Sequence, residues 1–237
     1  MDLKEVVDIN ERIENMVKPL PENYYATKEE ISFFKRYHKC DDFILSYALI
    51  NDIWEILKGE FINYSDEGDK QVPSPVSVLH TNSGAGKFLD VAPENSVITS
   101  FNKNYVCKRV CDFVCQDRNE KGMYYSYDRD ISQYFALCNT NSSKKYNIVV
   151  TQPNEDMDFY KSIDFSKEMG DLSPVEYYVA RGAHFVNENG YLVLIYTPNK
   201  DLNIKELENL SGMKMVYELQ DNDLEYLSYE AIIFKKY

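Results

Sequence analysis

The residues best suited to chemistry lie between Ser77 and Gln116. An apolar run (Val76–Leu79) gives way to the polar residues His80, Thr81 and Asn82, and then to a small loop, Ser83-Gly84-Ala85-Gly86. Glycine lets a backbone turn tightly and approach a ligand with no Cβ in the way. After a strand, such a loop presents a nucleotide-like ligand at the carboxyl ends of an open α/β sheet, although a GxG also occurs in plain αβ connections. A second apolar run (Ser96–Phe101) and an amphipathic segment (Lys103–Gln116) follow. Cys107, Cys111 and Cys115 stand four residues apart on that segment, so a helix aligns them along one face. Metal and iron–sulfur sets usually contain a two-residue gap on a loop, and buried free cysteine packs as a small hydrophobe. The spacing therefore points to core packing. An odd total of five cysteines does not suggest a disulfide framework.

The elements that must position the loop follow from periodicity. Residues 1–62 form a helical N-terminal region, with an apolar stripe that includes Ile13 and Val17 and a break at Pro19–Pro21. Thr27 and Glu30 have capping-box spacing for a second helix, and a third is expected from Asp42 to Lys58. His38 and the lone Trp54 read as surface and packing residues. Residues 63–75 are a polar linker bearing Gly and Pro, and 76–237 form one further domain. In that domain the spacing predicts strands at Val76–His80, Val97–Phe101, Met123–Tyr127 and Tyr146–Thr151. Helices are expected over 103–116 and from Pro174 to Val186, with a short helix or turn at 131–138. Asn189-Gly190 is expected to end a turn and launch a strand at Tyr191–Tyr196. A helix over Asn203–Leu210 and an antiparallel pair, Met213–Leu219 and Tyr229–Lys235, complete the pattern. The fold class is α/β, a seven-stranded, mostly parallel, Rossmann-like sheet closed by an antiparallel hairpin, with a helical N-terminal extension.

Charge limits the partners. With 39 acidic and 26 basic residues the net charge is −13. A chain that grips nucleic acid unaided needs a basic stripe, because phosphate neutralisation supplies most of the affinity. None is visible, so a polynucleotide would be held weakly or through a protein partner. There is no apolar run long enough to span a membrane and no signal-peptide core, which leads to the expectation of a cytoplasmic protein.

The motif order resembles that of the class I S-adenosylmethionine-dependent methyltransferases, and most of all the DNA adenine-N6 methyltransferases of restriction-modification systems. SVLHTNSGAGKFL resembles their VLDP-(A/S)-G-(S/T)-G-x-(F/L)-L motif, VITSFNKNYVCKRV their second strand, and YNIVVTQPNED their YDxIxTNPPF loop. The resemblance covers about residues 75 to 237. It implies S-adenosylmethionine as cofactor, with Gly84 and Gly86 wrapping its methionine part. His80, Thr81 and Asn82 replace the usual D-P run beside the amino-acid moiety. Asn102 stands where the family carries an acidic residue that takes both ribose hydroxyls, and it can accept only one such bond. It also reads as a turn former. Asp130 matches the Asp that contacts the cofactor adenine. Gln152, Pro153 and Asn154 stand where the family orients the adenine amino group, but the second proline and the stacking aromatic are missing and Glu155 follows.

Two readings result. One is an active methyltransferase of the adenine-N6 type, in which Gln152 and Pro153 meet the acceptor. The other is a catalytically inactive methyltransferase-fold subunit that acts as a structural or regulatory partner; for either, a protein partner is expected to supply target recognition. A nicotinamide site fits poorly, because Leu89 occupies the third glycine of GxGxxG.

Overall fold

The computed structural model describes residues 3–37, 45–61, 75–102, 104–128, 144–153, 170–197, 202–221 and 229–237. Its runs of β-branched and aromatic residues pair as seven strands. These are β1 (Val76–His80), β2 (Ser96–Asn102), β3 (Tyr124–Asp128), β4 (Tyr146–Thr151), β5 (Val186–Tyr196), β6 (Lys214–Gln220) and β7 (Glu230–Lys235). Their spatial order is β3-β2-β1-β4-β5-β7-β6. The first five are parallel, and β7 runs antiparallel to both β5 and β6. From the central pair β1 and β4 the chain winds outward on both sides, so the carboxyl ends of these strands form the switch-point crevice.

Both faces of the sheet are covered, as nearly continuous apolar strands require. On one face Val78, Ile98, Ile148, Val193 and Ile233 pack with Leu49, Ile53, Trp54 and Leu57 of α3 (Tyr47–Phe61). On the other, Leu79, Val149, Leu192 and Phe234 meet α7 (Pro174–Ala183) and α8 (Ile204–Ser211). A third cluster joins α1 (Leu3–Val17) and α2 (Lys28–Tyr37) to α5 (Tyr105–Val114) through Ile13, Val17, Phe34, Val110 and Phe113. Ala85 of the glycine loop packs against that same cluster. Arg109 on α5 fixes the intervening segment by donating to the carbonyls of Pro21 (2.8 Å) and Glu22 (3.0 Å). α1 and α2 therefore build the wall behind α5, whereas α3 covers the sheet itself.

Local chemistry accounts for several boundaries. Thr27 and Glu30 exchange the two bonds of a capping box, at 2.8 and 3.2 Å, and α2 begins there. Ser173 and Glu176 do the same for α7, with Pro174 in the first turn. The expected helix over 103–116 is interrupted at Cys115, whose φ of −100° and ψ of 11° separate α5 from α6 (Gln116–Glu120).

Three expectations are corrected. The third helix begins at Tyr47, five residues later than expected, because the Ser46 hydroxyl takes the Leu49 amide (3.0 Å) and donates to Asp221 (2.7 Å). The helix from Pro174 ends at Ala183 rather than Val186. Val186 already pairs with Tyr146, so β5 starts five residues earlier than expected. Asn189-Gly190 lies inside β5 as a bulge, and the ladder resumes at Tyr191 opposite Ile148. Asn189 has a φ of 62°, and a Cβ on Gly190 would lie 2.8 Å from the Asn147 carbonyl, so only glycine fits. The expected turn at 131–138, His38 and all but the last residue of the 63–75 linker lie outside the described residues.

The cysteines divide. Cys111 and Cys115 are free and buried in the core, as the spacing implied. Cys107 is buried as well, but it is disulfide-bonded rather than free, which an odd count allows but does not signal. Among the described residues no group of His, Cys, Asp or Glu could hold a metal ion, and no helix is long and apolar enough to cross a membrane.

Candidate functional site

The site is built at the carboxyl ends of β1, β2 and β4. β1 ends at His80, and the Thr81 amide extends its ladder by donating to the Val150 carbonyl at 3.0 Å. The Gln152 amide then donates to Thr81 Oγ1 at 3.3 Å, so the chains leaving β1 and β4 are held together at the switch point. From there the loop folds back over β2, where the Ser83 amide reaches the Phe101 carbonyl at 3.0 Å. A tight turn closes it, with the Gly86 amide donating to the Ser83 carbonyl at 2.9 Å. The short helix α4 (Lys87–Asp90) follows.

Gly84 and Gly86 have φ of 50° and 80°, in the left-handed region. Gly86 is required twice over. Its conformation disfavours a side chain, and a Cβ there would lie 2.9 Å from Cys111 Sγ and 3.2 Å from the Cys111 Cα. The backbone amides of Gly84 and Ala85 donate to no acceptor among the described residues. Successive unengaged amides in such a turn form a concavity suited to an anionic group.

His80 faces the interior. It is 1% exposed, its Nδ1 accepts from the Asn82 amide at 3.3 Å, and Phe88 meets its ring edge to face. Burial pushes its pKa down to about 3, so it is a neutral acceptor that props up the loop. Asn82 is half-buried and Thr81 is buried above it. Asn102 ends β2, 3% exposed, and its Nδ2 contacts Ser83 Oγ (2.8 Å) and the Gly84 carbonyl (3.0 Å). Gln152 is 2% exposed, and its buried Nε2 has no hydrogen-bond partner among the described residues. Pro153 is buried beside it. Thus His80, Thr81, Asn82, Gly84, Gly86, Asn102, Gln152 and Pro153 gather along one edge of the sheet. Asp130 and Asn154 lie outside the described residues.

Two residues have roles in the site that the sequence reading did not assign. Ser83 donates to the Phe101 carbonyl (3.3 Å) and accepts from Asn102 and from Cys111 Sγ (3.6 Å). Cys111 in turn accepts from the Tyr124 hydroxyl at 3.1 Å. The signal for Cys111 was its helical spacing, which marks a buried face but not the loop it touches. Beyond the loop, Lys87 donates to the Leu45 carbonyl and lies 4.4 Å from the Tyr47 ring centroid, tying α4 to the start of α3. Two described cavities, of about 310 and 460 Å³, lie against α5, α6 and the N-terminal helices, and no residue of the glycine loop lines either.

A parallel sheet wound outward from β1 and β4, a glycine loop after β1 and an antiparallel β7 inserted beside β5 together define the fold of the class I S-adenosylmethionine-dependent methyltransferases. Solved structures share it at low identity. A candidate methyltransferase of this class from Listeria monocytogenes superposes with a TM-score of 0.56 at 12% identity, covering 92% of this chain and 71% of its own. Magnesium protoporphyrin IX methyltransferase from Synechocystis, solved with bound S-adenosylmethionine, gives 0.51 at 9% identity over 98% of this chain and 91% of its own. The N-methyltransferase NodS from Bradyrhizobium japonicum gives 0.50 at 10% identity over 81% and 98%. No family model matches the chain, and no curated protein matches it either. The likeness is one of fold.

Proposed function

We propose that this chain binds S-adenosylmethionine at the carboxyl edge of its sheet and transfers the methyl group to an amino acceptor at Gln152-Pro153. The observation that carries the reading is the Gln152 amide nitrogen, buried where β1 and β4 part and without a partner among the described residues. A buried donor left unpaired costs about 1–3 kcal/mol, which a hydrogen-bond-accepting atom on a ligand offsets. The unengaged Gly84 and Ala85 amides support the same reading, since they suit the carboxylate of the methionine part. Asn82 and Thr81 border that position, and the family resemblance assigns the adenine contact to Asp130.

When bound, the cofactor supplies an electrophilic methyl group on a sulfonium. The chain's own task is orientation and exclusion of water, so the transfer requires no acid–base pair. The resemblance of YNIVVTQPNED, which includes Asn154, to the adenine-N6 loop makes the adenine amino group the first acceptor to test. A net charge of −13 means that a polynucleotide would be delivered by a protein partner.

A second reading, a catalytically silent methyltransferase-fold subunit, is favoured by one observation. Asn102 spends both amide hydrogens on the loop, where the resembled family keeps a carboxylate.

Methyl-tritiated S-adenosylmethionine, offered with adenine nucleosides and with single- and double-stranded DNA, separates the two. Acceptor-dependent label transfer that falls at least about tenfold in Gln152→Ala is the expected result. Binding of the cofactor without transfer to any amino acceptor would leave the silent reading.

A further inference from the structure

Asn102 stands at the end of β2 with its amide nitrogen 2.8 Å from Ser83 Oγ and 3.0 Å from the Gly84 carbonyl oxygen. A carbonyl only accepts, so the amide atom facing it must be the nitrogen, and this chemistry fixes the orientation of the side chain. Both amide hydrogens therefore point into the glycine loop. Ser83 is bound from its other sides as well. Its amide and hydroxyl both donate to the Phe101 carbonyl, at 3.0 and 3.3 Å, and Cys111 Sγ approaches its oxygen at 3.6 Å. The Tyr124 hydroxyl holds that sulfur at 3.1 Å and is itself held by Ser100 Oγ at 3.0 Å. A buried chain of polar groups thus runs from β3 through α5 to the loop and returns to β2.

We propose that Asn102 is a positioning residue that clamps the glycine loop from β2, keeps one carbonyl oxygen for a ligand, and so leaves binding largely independent of a ribose diol. An aspartate at this position has no hydrogen to donate, and its carboxylate would face the Gly84 carbonyl, an acceptor against an acceptor. In a site built to grip both hydroxyls, the same exchange would improve binding through charge-assisted bonds. The two accounts predict opposite signs for one substitution.

The part of the inference that concerns the diol rests on the cofactor reading; the clamp does not. The full chain, Asn102→Asp and Asn102→Ala are compared by amide hydrogen exchange over residues 81–89 without ligand. They are also compared by affinity for S-adenosylhomocysteine and its 2′-deoxy and 3′-deoxy analogues. Loop exchange is expected to rise about tenfold or more in both variants, since each loses two hydrogen bonds. The native chain is expected to bind the deoxy analogues within about tenfold of the parent, the worth of one bond, while both variants bind all three ligands more weakly. Unchanged loop exchange in Asn102→Asp, or tighter binding of the parent ligand by that variant, would overturn the clamp. Failure of the native chain to bind any of the three ligands would count against the cofactor reading instead, and the exchange data would still decide the role of Asn102.

Discussion

Replacing Gly86 with alanine adds one methyl group at the tightest point of the loop. Gly86 has a φ of 80°, a conformation that costs an L-residue about 1–2 kcal/mol. The new Cβ would also lie 2.9 Å from Cys111 Sγ and 3.2 Å from the Cys111 Cα. The sulfur can give way only at the expense of its bonds to Tyr124 and Ser83, and the Cα belongs to the helix backbone. Overpacking of this kind costs about 1–3 kcal/mol. The two terms together predict a loss of about 2–5 kcal/mol, or roughly 4–20 °C in Tm for a chain of this size. Urea denaturation followed by far-ultraviolet circular dichroism measures the loss. Cys111→Ala in the Gly86→Ala background separates the terms, because it removes the sulfur overlap and leaves the φ cost in place. A double-mutant cycle should return part of the loss. A loss below about 1 kcal/mol would show that the loop relaxes freely. No recovery with Cys111→Ala would show that the sulfur does not set the approach of α5.

Further expectations concern the loop's supports. His80 is held neutral, its pKa pushed down from 6.5 to about 3, so the unfolded chain takes up the proton first as pH falls. Its contribution is complete above the unfolded value and is lost between pH 6.5 and 3, at up to about 1.4 kcal/mol per pH unit. Denaturation midpoints of His80→Gln should accordingly fall less steeply between those limits than those of the native chain; identical slopes would contradict its burial. Trp54 donates to the Phe88 carbonyl at 2.9 Å. Trp54→Phe should cost about 1–3 kcal/mol in urea denaturation by orphaning that buried acceptor, and a neutral change would mean that α3 docks without the bond. Arg109→Met removes two bonds to the carbonyls of Pro21 and Glu22 and should raise protease cleavage between Val17 and Lys28. An unchanged cleavage pattern would mean that packing alone holds the segment.

The sheet was largely legible because its strands carry their own signals. Tyr146–Thr151 is continuous and β-branched, and the apolar runs at Val76 and Ser96 flank a glycine turn. The capping boxes at Thr27 and Ser173 were legible for the same reason, since both partners lie within four residues. Long-range contacts were not. The start of α3 is set by Asp221, 175 residues away from Ser46. Phe185-Val186 suits a helix face as well as a strand, and only pairing with Tyr146 decides between them. The candidate site followed the same division. The sequence located the loop and the ends of β2 and β4. It did not show that Asn102 turns inward, because that depends on where Ser83 and the Gly84 carbonyl come to rest.

The central claim is a working cofactor site at the carboxyl edge of the sheet, and calorimetric titration with S-adenosylmethionine and S-adenosylhomocysteine tests it most directly. A Gly84→Asp variant serves as control, since it places a charged side chain at a φ of 50° beside the free amides. Saturable binding by the native chain that is lost in the variant is the predicted result. No heat from the native chain at millimolar ligand would contradict the claim and leave a methyltransferase fold kept for contacts with other proteins.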